Sequence, residues 1–456
     1  MSKIRTARIE LYRQKGKIHS RTVSGRFNTL RWIMVWISQL IFYGTCWLNW
    51  DNRQAVLFDI AHEKFYLFGL VLWPQDGLLL ALLLIVSATA LFFVTALAGR
   101  LFCGFVCPQT VYTSIFVWIE ARVEGDHIAR LRLDNAPASL RKLALRTTKH
   151  VLWLLVAAWT GITFVGYFTP IDELLGSLAS ATFGPWEGFW VLFYALFTYV
   201  QAGFAREAVC QHMCPYSRFQ GVMFDATTSS VAYDVNRGEP RAARRSSSGD
   251  AEQGDCIDCG ICVQVCPTGI DIRDGLQYQC INCGLCADAC DDVMTKTGAP
   301  TGLIRFASEQ TLAGKSPAPL NRRPRVAIYG ALLVLLLGIG GWTLAQRNLL
   351  LVDVLRDRGA LWRETAEGVE NTYTLKLMNL AETPQDIEIS AAGIPGLYIV
   401  GEAVHALAAG SVRPVHLTLA TADGSGLSGI QPIRIEIRSK QQPELHLVEK
   451  STFARP

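Results

Sequence analysis

Residues 256–267 read CIDCGICVQVCP, and residues 280–290 read CINCGLCADAC. In the first run, Cys256, Cys259, Cys262 and Cys266 are spaced C-x2-C-x2-C-x3-C, and Pro267 follows. In the second, Cys280, Cys283, Cys286 and Cys290 repeat the spacing, with Asp291 in the place of the proline. Three thiolates at x2 spacing can wrap three corners of a cubane, because the backbone between them turns tightly. Gly260 and Gly284 stand where such turns favour a residue without Cβ. In two-cluster sequences of this spacing, the fourth cysteine of each run ligates the other cluster. One [4Fe–4S] cluster is therefore expected on Cys256, Cys259, Cys262 and Cys290, and the other on Cys280, Cys283, Cys286 and Cys266. Four-cysteine zinc sites also use C-x2-C pairs. Two complete runs, with proline ending the first, favour iron.

The chain around these runs has a different character. It has 456 residues, 50% hydrophobic and 18% charged, against roughly 25% charged in ordinary soluble proteins. That apolar mass excludes disorder of the chain as a whole. A net charge of +4 is too small for a protein that coats nucleic acid. The 13 cysteines are too few for a disulfide scaffold, and odd in number. Five uncharged stretches, Trp32–Trp50, Gly77–Gly99, Val151–Ile171, Gly188–Ala205 and Val326–Gln346, are long enough for helices to cross a bilayer.

Loop charge gives those spans a direction. Met1–Arg31 holds nine Lys/Arg and Arg100–His150 holds eight, whereas Asp51–Asp76 holds only Arg53 and Lys64, and Asp172–Glu187 none. The alternation predicts a cytoplasmic N-terminus. A sixth uncharged stretch, Leu101–Ile119, would place the basic Arg122–Lys149 loop outside if it crossed, so it is expected to lie at the surface or to insert partway. The expected layout is a basic segment at 1–31 and a four-helix region at 32–205. A cytoplasmic segment at 206–325 carries the cluster domain at 250–295, a fifth span follows at 326–346, and a far-side domain occupies 347–456. Arg237–Asp255 is rich in Arg, Ser and Gly and is expected to be a flexible linker. In the last domain, Thr372–Leu380, Asp386–Ser390, Val412–Ala420 and Ile433–Ile437 alternate with period two, which predicts an antiparallel β-sandwich.

Four more cysteines form a second pattern. Cys103 and Cys107 precede Pro108, and Cys210 and Cys214 precede Pro215. Each C-x3-C-P pair follows a predicted span, so both fall at the cytoplasmic boundary. The i, i+4 spacing puts two thiols on one helical face, and proline disfavours helical geometry just before it. Clustered thiolates suit a soft metal, above all Cu(I), or a dithiol/disulfide relay. Buried free cysteine is the plain alternative. His212 and Met213 lie inside the second pair and could add copper-compatible ligands, although packing or solvent exposure is the commoner fate. Cys46 stands alone in the first span.

Together these residues resemble the CcoG/FixG/RdxA family of cytochrome c oxidase accessory proteins, over nearly the whole chain. Residues 99–110, GRLFCGFVCPQT, resemble the family's first membrane motif, and residues 210–220, CQHMCPYSRFQ, its second. Cys256–Met294 resembles its ferredoxin insert, residues 237–241 the segment just before it, and residues 352–358 with the following strands its C-terminal Ig-like domain. The resemblance implies a multi-pass protein of the bacterial inner membrane. Five transmembrane helices would carry an inserted two-cluster ferredoxin-like domain and a periplasmic Ig-like sandwich. It implies a cupric reductase supplying Cu(I) to assemble a cbb3-type oxidase, with copper at Cys103, Cys107, Cys210 and Cys214. Its partners would be oxidase subunits or copper-delivery proteins and an unidentified electron donor. No nucleic acid is expected, and self-association is left open. Two other functions fit the same residues: an electron-transfer subunit of a quinol dehydrogenase chain, or an assembly scaffold without turnover.

Overall fold

The computed structural model describes residues 18–50, 53–243, 253–316, 319, 323–357, 361–365, 368–421 and 429–456. It forms two compact units, Met1–Gly338 and Ile339–Pro456. In the first, α1 (Arg26–Gly44) begins ahead of the expected Trp32, and Asn49–Trp50 already lie in a strand. The early start has a cause. The carboxylate of Asp288, from the cysteine-rich domain, accepts the amides of Phe27 (3.1 Å) and Asn28 (2.8 Å), which a helix's first turn leaves unpaired.

The following helices are α2 (Gly77–Ala98), α3 (Leu101–Phe105), α4 (Pro108–Glu124), α5 (Leu140–Val165), α6 (Pro185–Val200) and α7 (Pro215–Met223). After α8 (Ile261–Gln264) and α9 (Leu285–Thr297) in the cysteine-rich domain comes α10 (Pro324–Ala345). Among the described residues, five helices are long and apolar enough to cross a membrane: Pro74–Ala98, Leu101–Glu124, Leu140–Val165, Pro185–Met213 and Pro324–Ala345. These are not quite the five expected. Leu101–Glu124 takes the place of Trp32–Trp50, because Arg26, Asn28, Arg31 and Gln39 dilute α1.

α2 is apolar on every side, as a lipid-facing helix must be. α5 and α6 pack closely because Gly161 lets the backbones meet: a Cβ there would stand 2.5 Å from the Val191 carbonyl oxygen. Trp153 of α5 stacks on Phe116 of α4 at 5.1 Å and donates its indole N–H to the Phe116 carbonyl. Nearby, fully buried Glu120 pairs with Arg206 (3.0 Å), Arg130 (3.1 Å) and Lys149 (3.5 Å), which also holds Glu124 at 2.6 Å. Removing one partner from such a set strands a buried charge, at a cost of about 3–5 kcal/mol.

The two ends of α1 mark two faces. Beyond its C-terminal end, Gln54 donates to the Gly166 carbonyl and accepts the Ile171 amide, and the Phe58 amide donates to the Tyr167 carbonyl. Its N-terminal end meets the cysteine-rich domain. So does the end of α2, where Asn282 donates to the Ala98 carbonyl. Both ends of the Leu101–Glu124 stretch lie on that same face. Gly104 packs so tightly that a Cβ would be 2.7 Å from the Ile281 carbonyl oxygen. Past α4, Asp126 accepts from Thr22, next to Arg21, whose amide donates to the Gln264 carbonyl.

The ends of the expected linker are tied down. Arg237 pairs with Asp255, and the Ala242 amide donates to the Cys256 carbonyl. Residues 244–252, the middle of the linker, lie outside the described residues.

The second unit is the sandwich. Its strands are β1 (Leu350–Arg356), β2 (Gly368–Asn379), β3 (Gln385–Ala392), β4 (Leu397–Val400), β5 (Val404–Leu407), β6 (Val412–Thr421), β7 (Gly429–Ser439) and β8 (His446–Arg455). One sheet runs β4-β6-β2-β1, with Arg363–Thr365 also on β2, and the other β5-β3-β7-β8. Alternate residues such as Tyr373, Leu375, Leu377, Ile435 and Ile437 fill the core.

Candidate metal centres

The two cysteine runs fold as repeats of one turn. Asp258 and Gly260 in the first, and Asn282 and Gly284 in the second, all have positive φ. Each turn delivers the chain into a helix, α8 or α9, whose first residue follows the glycine. At Gly284 the need for glycine is doubled, since a Cβ would lie 2.6 Å from Phe27 of α1. Strands Ser230–Tyr233 and Ile304–Ala307, paired antiparallel, flank the turns.

Two small cavities result. One is lined by Cys256, Cys259, Cys262 and Cys290. The other is lined by Cys266, Cys280, Cys283 and Cys286, and also by Cys262, which thus borders both. The fourth cysteine of each run thus faces across to the other run. Among the described residues, no three His, Cys, Asp or Glu side chains meet closely enough for a single ion. A zinc site would need its sulfurs at about 2.3 Å from one point. Four thiols spread around a cavity suit a polynuclear cluster, with one thiolate at each corner.

Burial, reinforced by the neighbouring thiols, pushes Cys290 up to about 12. Burial likewise puts Cys280 at about 12, Cys262 at about 11 and Cys286 well above the ordinary range. Such thiols keep their protons until metal replaces them. Positive charge is at hand: Arg273, held by Asp271 at 2.7 Å, faces Cys262. Donor type, number and spacing therefore all fit iron–sulfur clusters.

The C-x3-C-P pairs share a local geometry. The Cys107 amide donates to the Phe102 carbonyl and the Cys214 amide to the Val209 carbonyl, both 2.9 Å, each reaching back five residues. The widened turn ends at the cysteine, and the proline then starts a new helix, α4 or α7. Proline thus begins the next helix as well as ending the last. Gln109 joins the first motif to the chain just ahead of the second by donating to the carbonyls of Gln201 (3.0 Å) and Arg206 (3.1 Å). The four thiols are electrostatic neighbours: Cys103 faces Cys107 and Cys210, and Cys107 and Cys210 both face Cys214. Fully buried Gln220 donates its amide to the Cys103 sulfur at 3.5 Å.

Arg100 links this quartet to the second cluster cavity. It lies within electrostatic reach of Cys103, Cys210 and Cys280, and donates to the carbonyls of Tyr278, Cys280 and Ser217. Neither Arg100 nor Gln220 stood out in the sequence, although both lie inside the quoted motif segments. His212 and Met213 are exposed. Cys46 is fully buried beside Val165, Ile171 and Leu174, as a small hydrophobe would be.

Two family models match the cysteine-bearing segments: a 4Fe-4S dicluster domain over residues 205–309 and a 4Fe-4S binding domain over residues 80–123. A third, the Ig-like fold at the C-terminal of FixG, matches residues 340–456. Protein RdxA of Cereibacter sphaeroides is 38% identical over 95% of this chain and 96% of its own length. Nitrogen fixation protein FixG of Rhizobium meliloti is 35% identical over 86% of this chain and 83% of its own. The chain belongs to the FixG/RdxA family. It is a multi-domain, iron–sulfur electron-transfer protein of the membrane. More distantly, ferredoxin-type protein NapH of Escherichia coli is 27% identical over 54% of this chain and 82% of its own length.

Proposed function

We propose that this family member reduces Cu(II) to Cu(I) at the boundary of the bacterial inner membrane, for assembly of the copper–haem centre of a cbb3-type oxidase. Cys256, Cys259, Cys262 and Cys290 hold one [4Fe–4S] cluster, and Cys266, Cys280, Cys283 and Cys286 the other. When bound, these clusters supply one-electron carriers. Copper is the substrate: each Cu(II) gains one electron and leaves as Cu(I). Cys103, Cys107, Cys210 and Cys214 favour that product, because soft thiolates prefer Cu(I). The observation that carries the reading is the thiol quartet beside the second cluster cavity, with Arg100 between them. Oxidase subunits or copper-delivery proteins receive the product. Replacing Cys103 and Cys107 by serine is expected to slow copper reduction at least tenfold while cluster absorbance is kept. Unchanged reduction overturns the copper assignment.

The orientation follows from loop charge. The cysteine-rich domain and the basic N-terminal segment are cytoplasmic, and residues 53–72, 166–184 and the sandwich face the periplasm. α1, α2, α5, α6 and α10 cross. Leu101–Glu124 enters and returns, which is supported by Gly104 packing on Ile281 of the cysteine-rich domain and by Asp126, past its other end, accepting from Thr22, whose neighbour Arg21 donates to Gln264 of that domain.

A second reading has one specific observation behind it. The 4Fe-4S binding model over residues 80–123 covers Cys103 and Cys107 and no other cysteine. On that reading the quartet holds a third cluster. Metal analysis of anaerobically purified protein separates the two: about eight iron plus copper supports the first, and about twelve iron the second.

A further inference from the structure

A cavity of about 430 Å³ lies between α1, α4 and the cysteine-rich domain. That is the size of a small-molecule site, within the usual range of about 300–1,000 Å³. Its wall changes character along its length. Trp32 and Val35 of α1 and Val117 and Trp118 of α4 make an apolar end. From there the apolar surface continues outward along α1 through Ile33, Trp36 and Ile37, all exposed, with Trp36 62% so. In a membrane protein such a face meets lipid, so a hydrophobic ligand can arrive from the bilayer.

The inner end is polar and rich in donors. Arg31 and Thr113 line it. Arg206 is taken up by Glu120 at 3.0 Å, but on the cavity wall as a whole Arg21, Arg31 and Arg122 still outnumber the acids Asp126 and Glu207. This excess disfavours a hydrated metal cation and favours a ligand that presents acceptor oxygens. The cavity also touches both redox-bearing parts of the chain. Cys210 of the thiol quartet lines it, and so does Thr268, whose hydroxyl lies 3.3 Å from the Cys266 sulfur. A structural phospholipid would satisfy the arginines and the apolar wall. It would have no reason to sit between Cys210 and Thr268.

We propose that this cavity binds the headgroup of a membrane quinone. Its ring lies against the Trp32–Trp118 pair, whose rings meet edge to face at 6.3 Å, and its carbonyl oxygens face Arg31 and Thr113. Its isoprenoid tail leaves along the exposed face of α1. The site goes beyond the copper reading and does not rest on it, because binding is measured without copper.

The test uses full-length, cluster-loaded protein in detergent and 2-heptyl-4-hydroxyquinoline N-oxide, a fluorescent quinol analogue quenched on binding. Saturable quenching at one site per chain is expected. Val117→Trp and Thr113→Trp, which fill the cavity, should each weaken it about tenfold or more with iron content unchanged. No saturable quenching by the iron-replete protein overturns the proposal, as does equal binding by both filled variants. Uptake of phosphatidylglycerol without binding of the analogue makes this a lipid site and overturns it too. Should a filled variant lose iron, an azido-quinone gives a second readout on the unaltered protein. Labelling within residues 31–36 or 109–122 supports the site, and labelling elsewhere overturns it.

Discussion

Cys290 closes the second cysteine run, yet it lines the cavity formed by Cys256, Cys259 and Cys262. Cys266, which closes the first, lines the other. Crossed ligation on these linings would tie two short segments together, with each cluster holding the ends of both. This arrangement makes a prediction that pairwise substitution can read. Cys290→Ser should cost one cluster and lower iron from about eight to about four per chain. Adding Cys256→Ser should cost nothing more, since both residues serve the same cluster. Adding Cys283→Ser should remove the remaining iron. With uncrossed ligation, the outcomes of the two double variants would be exchanged. The readout is iron per chain together with the visible absorbance of anaerobically purified protein.

Elements in this fold are positioned by single polar side chains reaching between domains. Asp288 on α9 holds the first turn of α1, and Asn282 joins the Val231 amide to the end of α2. Asp288→Ala should remove both amide partners from the start of α1, at about 1–2 kcal/mol, in the range of a lost helix cap. Hydrogen exchange at Phe27 and Asn28 should speed up about tenfold, with exchange in α5 unchanged. The same contact explains what the sequence hid. The cysteine runs were legible because ligand spacing is local, and the sandwich because strand alternation is local. The β6 and β3 strands, for example, extend the predicted Val412–Ala420 and Asp386–Ser390 by only a few residues. The start of α1 at Arg26 was not legible, because its cap comes from a residue far away in the chain. Nor was the function of Arg100, whose carbonyl partners lie in two distant segments. Across the α5–α6 contact, Gly161→Val should be more damaging than any surface change, because its side chain would meet the Val191 backbone. A lower yield of folded, detergent-extracted protein is the expected result.

At the scale of the whole molecule, hydropathy and charge favour different crossings. Hydropathy alone counts Leu101–Glu124 among the crossing helices and omits α1. Loop charge and contacts favour the opposite assignment. The choice decides on which side Ala61, in the exposed turn between strands Val56–Asp59 and Lys64–Leu67, lies. If α1 crosses and Leu101–Glu124 returns to the face it came from, Ala61 is periplasmic and both C-x3-C-P pairs share the cytoplasmic face with the cysteine runs. If Leu101–Glu124 crosses and α1 does not, Ala61 is cytoplasmic, and Cys103 and Cys107 lie across the membrane from the cysteine runs. Both assignments leave Ala138 cytoplasmic and Glu173 and Glu444 periplasmic, so these three serve as controls. Single reporter cysteines at these exposed positions, probed in intact cells with a membrane-impermeant maleimide, separate the alternatives. Ala61→Cys, Glu173→Cys and Glu444→Cys should label from outside, and Ala138→Cys only after the cells are opened. Protection of Ala61→Cys in intact cells, with Glu173→Cys still labelled, would make Leu101–Glu124 a true span. Both C-x3-C-P pairs could then no longer share the cytoplasmic boundary with the clusters, and the route proposed for copper reduction would fail with the topology. Labelling of Ala61→Cys keeps the thiol quartet, the second cluster cavity and the basic loops on the reducing side, where free thiolates persist.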